Sequence, residues 1–196
     1  MKKIAIVSVN FNGEKDTLEL LEDLKRLKVA DYRLQTIVVD NASTDNFVES
    51  ASKKYPEIDI LQNGINKGFS GGYNRGIEQA LLWGADYVLI INNDALTPDK
   101  GLLSKLLETF EKHSDAGIVS PKIYFAPGFE FHKDRYKKED QGKVVWFGGG
   151  KFDWDNVMSI HRGIDEVDHG EYDGEMEMDF ATGCCMMFRM EAIRKV

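Results

Sequence analysis

Thr36-Ile37-Val38-Val39-Asp40-Asn41-Ala42-Ser43-Thr44-Asp45 is the stretch whose reading decides the fold class. The run from Thr36 to Val39 is too short for a helix and is β-branched throughout, which suits a strand buried on both faces of a parallel sheet. Asp40 closes that strand, and Ser43 or Thr44 offers a hydroxyl to cap a helix read from Asp45 to Lys54. The same order of strand, polar turn and helix recurs on both sides. Upstream, Ile4-Ala5-Ile6-Val7-Ser8-Val9 precedes Leu20, Leu21, Leu24 and Leu27 at helical spacing. Downstream, a short strand at Ile58 to Leu61 leads to helix signals from Ser70 to Trp83. Tyr87-Val88-Leu89-Ile90-Ile91 then leads to a helix opened by Thr97-Pro98 and carrying Leu102, Leu103, Leu106, Leu107 and Phe110. This alternation predicts an α/β fold with a mostly parallel central sheet covered by helices on both faces.

The chain has 196 residues, 42% of them hydrophobic and 30% charged, which is ordinary globular composition and enough for one domain spanning 1–196. A formal net charge of -8 argues against nucleic acid as a partner, because phosphate backbones are bound by excess Lys and Arg. The only cysteines, Cys184 and Cys185, are adjacent, which suits neither a disulfide nor a zinc site and points to reduced thiols in a cytoplasmic setting. The N-terminal apolar run is too short for a signal-peptide core or a membrane span. Asn41-Ala42-Ser43 matches the N-glycosylation pattern and is read as a chance match. After Phe125 the character changes. Pro127 to Gln141 reads as a mobile excursion, Gly148-Gly149-Gly150 interrupts the segment beyond it, and Asp165 to Glu177 reads as a solvated acidic loop between weak strands near Met158 and Met178.

Ligands of open parallel sheets bind outside the carboxyl ends of the strands, so polar residues there are the first functional suspects. An Asp at the end of a buried strand can accept a hydrogen bond from the ring N3–H of uracil or thymine, and Phe11 offers a stacking face. Asp40 is the candidate reader of the base, although it or Asp45 could equally cap the next helix. Asn92-Asn93-Asp94 follows an isoleucine-rich strand, where a carboxylate can hold Mg2+ or Mn2+ that also takes diphosphate oxygens; a polar turn is the plain alternative. Asn66-Lys67-Gly68-Phe69-Ser70-Gly71-Gly72-Tyr73-Asn74-Arg75-Gly76 combines glycines with polar side chains ahead of a helix, without the dinucleotide-binding spacing. His113, His132, His161 and His169 read as surface residues, with Arg162 the outside candidate for a phosphate contact.

Taken together, Val7 to Asn12, Val38 to Asp45, Asn66 to Asn74, Asn92-Asn93-Asp94 and Asp179-Phe180-Ala181-Thr182-Gly183-Cys184 through Arg189 resemble the family 2 inverting glycosyltransferases of the GT-A fold, especially rhamnosyltransferase-like members. The resemblance covers nearly the whole chain. It implies a smaller antiparallel C-terminal part, a nucleotide-binding half at 1–125 and an acceptor-side half at 126–196. It also implies that Val9, Asn10, Phe11 and Asp40 line a base pocket and that Asn66, Gly68 and Asn74 shape the donor site. Asn92, Asn93 and Asp94 stand where the family has its Asp-x-Asp motif, so Asp94 inherits the metal, Mg2+ or Mn2+, and Asn92 is left to bind a ribose hydroxyl or phosphate. Thr182-Gly183-Cys184 matches a segment beside the sugar and acceptor.

The reaction implied is transfer of a sugar, with inversion, from a UDP- or dTDP-sugar to a hydroxyl of a carbohydrate or lipid-linked saccharide, as in cell-wall or polysaccharide synthesis. Such acceptors are compatible with peripheral association at the inner face of a membrane, although no basic amphipathic helix supports it. The family's general base is expected beyond Val196, which makes the chain a fragment that binds its donor and transfers poorly. A non-catalytic nucleotide-binding module and a sugar-1-phosphate nucleotidyltransferase are the alternatives, the latter lacking its early glycine-rich loop here.

Overall fold

The structure is a computed structural model that describes residues 1–132 and 134–195. The chain divides into two compact units, Met1–Val119 with the chain from Gly183 onward, and Ser120–Thr182.

The first unit is a six-stranded sheet with helices. In chain order it comprises β1 (Lys2–Asn10), α1 (Glu14–Leu24), β2 (Tyr32–Asp40), α2 (Phe47–Lys54), β3 (Asp59–Gln62), α3 (Gly68–Trp83), β4 (Tyr87–Ile91), α4 (Leu102–Lys112) and β5 (Ile118–Val119). The second unit contributes β6 (Ile123–Tyr124), β7 (Val145–Phe147), β8 (Gly150–Asp153) and β9 (Met158–His161), after which β10 (Cys185–Arg189) and α5 (Met190–Ile193) return to the first. The sheet order is β3-β2-β1-β4-β10-β5. β1 pairs in parallel with β2 and β4, β2 pairs in parallel with β3, and β10 runs antiparallel to β4 and β5.

The apolar runs became the central strands because both faces are covered. Ile4, Ala5, Val7, Ile37, Val38, Val39, Val88 and Leu89 have no exposed surface. α3 lies unusually close to the sheet. A Cβ at Gly76 would fall 2.2 Å from Val7 Cγ1 and one at Gly72 2.9 Å from Val9 Cγ1, so only glycine allows this approach. The close packing brings the N-terminal turn of α3 to the carboxyl end of β1.

Two helices begin later than the hydroxyl-cap readings predict. α2 starts at Phe47 because Asp45 Oδ1 accepts the Phe47 N–H at 3.2 Å, while its Oδ2 accepts the Glu14 N–H at the head of α1 at 2.9 Å. Ser43 Oγ is committed elsewhere, to Asn10 Nδ2 and the Asn12 N–H. α4 starts at Leu102 rather than after Thr97. The Thr97 N–H donates to Asp23 Oδ2 at 2.8 Å, and Asp99 Oδ1 accepts the Gly101 N–H, so Pro98 lies in a turn instead of the first helical position.

The second unit has little regular structure: β6 pairs with β7 and β8 with β9, both antiparallel. Its acidic stretch is largely exposed, as a solvated loop should be, but Asp165 and Asp168 are tied into the unit. Asp165 accepts from Arg135 and Tyr136 and pairs with His132 Nδ1 at 2.7 Å. The Asp168 side chain is 4% exposed and accepts from Lys122 and Tyr124. The Glu130 carboxylate accepts the N–H groups of Gly128 and Gly142, fastening both ends of the charged excursion after Pro127. Arg162 stacks over Tyr172 and donates to the Glu171 carbonyl, which commits its guanidinium within this unit. Among the described residues no helix is long and apolar enough to cross a membrane.

Candidate active site

β1, β2 and β4 end on one edge of the sheet, and a pocket of about 270 Å³ opens there. Val9 and Phe11 supply it from β1, Asn41 from the turn after β2, Asn66, Gly68, Phe69 and Tyr73 from α3 and its approach, and Asn92, Asn93 and Asp94 from the turn after β4. The structure therefore brings together seven of the ten residues singled out in the sequence: Val9, Phe11, Asn66, Gly68, Asn92, Asn93 and Asp94.

The other three lie elsewhere. Asn10 is fully buried and Asp40 is 4% exposed, both beneath the pocket rather than on its surface. Asn93 Nδ2 donates to Thr17 Oγ1, Thr17 Oγ1 donates to Asn10 Oδ1, and Asn10 Nδ2 donates to Asp40 Oδ1, a chain that links the pocket to the Asp40 carboxylate. Asp40 Oδ2 also accepts the Ser43 N–H at 3.2 Å, across a turn in which Ala42 adopts a left-handed φ of 67°. That conformation costs a non-glycine residue on the order of 1–2 kcal/mol. Asn74 is exposed on α3, away from the lining.

Asn41, Phe69 and Tyr73 line the pocket and were missed by sequence reasoning. Asn41 is 2% exposed, and all of its amide is in use. Nδ2 donates to Asn66 Oδ1 and the Gly68 carbonyl, while Oδ1 accepts from Asn63 Nδ2 and the Lys67 N–H. An amide so enclosed is no glycosylation acceptor. Phe69 and Tyr73 are one helical turn apart, a spacing that was visible in the sequence and places both on the face toward the pocket. Their rings meet at 4.6 Å, and the Tyr73 hydroxyl lies 2.9 Å from the Ile91 carbonyl and 3.2 Å from Asn92 Oδ1.

Asp94 is exposed and, among the described residues, is the single carboxylate lining the pocket. Its charge is felt by its neighbours. Burial, reinforced by Asp94, pushes the Cys184 thiol up to about 11; burial and the Cys184 thiol push Cys185 up to about 12. Both thiols are therefore protonated and poorly nucleophilic near neutral pH. Burial, with Cys184 and Asp94 adding to it, also raises Tyr73 well above the ordinary tyrosine range. The Gly183-Cys184 segment adjoins the site, because the Cys184 carbonyl accepts the Asn92 N–H at 2.8 Å and a Cβ at Gly183 would lie 2.8 Å from Phe69 Cζ.

Among the described residues no three His, Cys, Asp or Glu side chains converge to hold a metal ion. One exposed carboxylate in a polar pocket still suits Mg2+ or Mn2+, since such ions are commonly held by one or two carboxylates together with substrate phosphates and water. Val196, past which the general base was expected, lies outside the described residues.

The family model described as glycosyl transferase family 2 matches residues 5–196. This chain belongs to that family. It is 29% identical over 109 residues to the N-acetylglucosaminyl-diphospho-decaprenol L-rhamnosyltransferase of Mycobacterium tuberculosis, covering 51% of this chain and 35% of that protein. It is also 29% identical over 121 residues to a low-salt glycan biosynthesis hexosyltransferase of Haloferax volcanii, covering 61% and 36%. The chain thus spans about a third of the length of these relatives. Among solved structures, the mannosyltransferase PcManGT from Pyrobaculum calidifontis, in complex with GDP-Man and Mn2+, superposes with a TM-score of 0.60 at 16% identity, covering 98% of this chain and 46% of that one. S. aureus TarS in complex with UDP-GlcNAc gives 0.52 at 23% identity, covering 60% and 33%. These likenesses establish the GT-A fold.

Proposed function

We propose that this chain carries the donor site of an enzyme that transfers a hexosyl group, with inversion, from a UDP- or dTDP-sugar to an acceptor hydroxyl. The observation that carries the reading is the pocket at the strand ends, where the amides of Asn41, Asn66, Asn92 and Asn93 converge with one carboxylate, Asp94. The pyrimidine stacks on the half-exposed Phe11. Asp40, 4% exposed in this structure, takes the ring N3–H when the turn after β2 opens toward the base, since its carboxylate retains acceptor capacity beyond the two hydrogen bonds it already receives. Asn66 and Gly68 place amide and backbone groups near the ribose, while Asn92 and Asn93 donate to hydroxyl or phosphate oxygens. Asp94 would hold Mg2+ or Mn2+ jointly with the diphosphate, and the cation when bound offsets charge on the leaving group. The Mn2+ bound with GDP-Man in PcManGT and the UDP-GlcNAc bound in TarS support a divalent ion and a nucleotide-sugar donor for this family.

With Asp94 given to the cation, no other carboxylate or histidine among the described pocket-lining residues remains to take the proton from an acceptor. Hence this chain by itself is expected to bind donor and transfer slowly. That same observation favours a second reading, a nucleotide-binding module without catalysis. The decaprenol-linked substrate in the name of the mycobacterial relative supports a lipid-linked saccharide as acceptor.

Calorimetric titration of UDP and dTDP, with and without Mn2+, tests the donor site. Binding should strengthen with Mn2+, and Asp94→Ala should remove that dependence. CDP should bind weakly because cytosine has no N3–H for Asp40 to accept. Equal affinity for UDP, CDP and ADP, indifferent to Mn2+, would sink the reading. Sugar transfer to a lipid-linked saccharide by this chain, against none, would separate enzyme from binding module.

A further inference from the structure

Two aromatic rings in the pocket stand half exposed among polar neighbours, and the fold sets them apart. Phe11 is 49% exposed and follows β1. Phe69 is 53% exposed and reaches Gly183, the residue before Cys184, whose carbonyl is bonded to the Asn92 N–H next to β10. Across the sheet the order is β2, β1, β4, β10. A nucleotide diphosphate held at Asp94 beside β4, with its base toward Phe11 and Asp40, therefore directs its distal group toward Phe69.

We propose that Phe69 is the wall on which the donor sugar packs, and that it selects a neutral sugar turning a C–H face to the ring. This rests on the donor-site reading above and names the substrate class of the same site. The ring is already fixed. One side meets Tyr73, a side chain 4% exposed and anchored through its hydroxyl, and one edge meets the backbone at Gly183, where any side chain would collide with it. A fixed ring loses little freedom on binding, so more of its contact energy reaches affinity. Its negative face attracts the electropositive C–H bonds of a pyranose, and its exposed area leaves water when covered. The pocket lining contains no Lys or Arg among the described residues. A sugar carboxylate would find no cationic side chain there.

The test is calorimetric titration, in Mn2+, of UDP, UDP-glucose, UDP-glucuronate, dTDP and dTDP-rhamnose against wild type, Phe69→Ala, Phe69→Trp and Phe11→Ala. Wild type should bind at least one neutral sugar nucleotide more tightly than the matching bare diphosphate, and UDP-glucuronate less tightly than UDP-glucose. Phe69→Ala should cut that sugar preference about 3- to 10-fold, the size of an aromatic contact, with the loss falling on the sugar increment. Phe69→Trp should keep it, and Phe11→Ala should weaken bare and sugar-bearing diphosphates alike. Gly183→Ala, which pushes the ring aside, should repeat the selective loss. The proposal is overturned by equal loss of both ligand types in Phe69→Ala, by no loss, by no sugar preference in wild type, or by preference for UDP-glucuronate. Failure of UDP and dTDP to bind wild type at all would instead overturn the donor site on which it rests.

Discussion

The two units are held by different chemistry. In Met1–Val119 the central strands carry apolar runs, Ile4 to Val7, Ile37 to Val39 and Val88 to Ile91, and a lattice of uncharged amides and hydroxyls gathers at the strand ends around Asp40. In Ser120–Thr182 short strands are joined by ion pairs and stacked rings: Lys122 with Asp168 and Asp173, Arg135 with Asp165, and Phe147, Phe152, His161 and Phe180 around one another. Amides fixed by a dry sheet hold their positions across pH, because none of them titrates. Carboxylates that tie a loop are conditional on their charge. The difference suits a pocket that must stay preorganised in one unit, and a segment whose cohesion can be altered by acid in the other.

The hardest test of the first half of that comparison is Asn41→Ala. It would strand the buried Asn63 side chain and undo the bonds that hold the exposed Asn66 side chain and the backbone groups of Lys67 and Gly68, and a buried partner left unsatisfied is among the costliest results of a substitution. A loss of roughly 3 kcal/mol is expected in urea unfolding, as a lower midpoint at unchanged slope. A loss under about 1 kcal/mol would mean that water replaces the amide and that the lattice is not a rigid support. Next in size is Gly76→Ala. The new methyl falls on Val7 Cγ1 and is 3.3 Å from Val39 Cγ2, so α3 must lift from the sheet. About 2 kcal/mol should be lost by overpacking, and UDP affinity should fall with it, because the same helix delivers Gly68, Phe69 and Tyr73 to the pocket. Unchanged affinity at reduced stability would break the link between close packing and site geometry.

Legibility in the sequence followed the range of the interactions. Ile4 to Val9, Thr36 to Asp40 and Tyr87 to Ile91 were readable because a buried parallel strand is apolar residue by residue, and the sheet with its strand-end site followed from them. The start of α4 was not, because Asp23 reaches Thr97 from 74 residues away, whereas at α2 the sequence offered Asp45 beside Ser43 and Thr44 and could not rank them. Asn41 passed unnoticed because its partners are 22 to 27 residues downstream. Asp165 and Asp168 read as solvated charge because Tyr136 and Lys122 lie 29 and 46 residues upstream. A local pattern announces burial of carbon but not the pairing of charge.

Acid probes the second unit. Burial alone would raise the Asp168 carboxyl, but hydrogen bonds from Lys122, Tyr124 and the Gly170 N–H outweigh it and hold it at about 2. A carboxyl whose folded value lies below its unfolded value stabilises fully above the unfolded value, near 4, and loses that contribution as pH falls through the folded one. Stability lent by Asp168 should thus be constant from pH 7 to about 5 and fade between about pH 4 and pH 2. Asp168→Asn should be less stable than wild type at pH 6, and the gap should narrow on acidification, as read by urea midpoints at pH 6, 4 and 3. A gap that does not depend on pH would show that shape, not charge, ties this segment.

The smallest expected effect has the opposite sign. Val157 ends the four-residue loop between β8 and β9, where Asp153 pairs with Met158, and it adopts a φ of 54° with 84% of its surface exposed. A β-branched residue in the left-handed region carries a steric penalty of about 1–2 kcal/mol. Exposure means that almost no burial offsets it. Glycine removes the clash but adds about 0.5–1 kcal/mol of unfolded-state entropy, so Val157→Gly should stabilise by roughly 0.5 kcal/mol. Asparagine tolerates the same conformation with less added freedom and should do at least as well. The loop is otherwise well built, since Asp153 Oδ1 accepts the N–H groups of Asp155 and Asn156 and its Oδ2 accepts Asn156 Nδ2. Strain is therefore confined to one residue. Thermal unfolding should move up by about 1–2 °C in either variant. A fall in both would mean that the exposed valine is held by contacts worth more than its strain, and that this hairpin, like the sheet of the first unit, is organised by apolar packing.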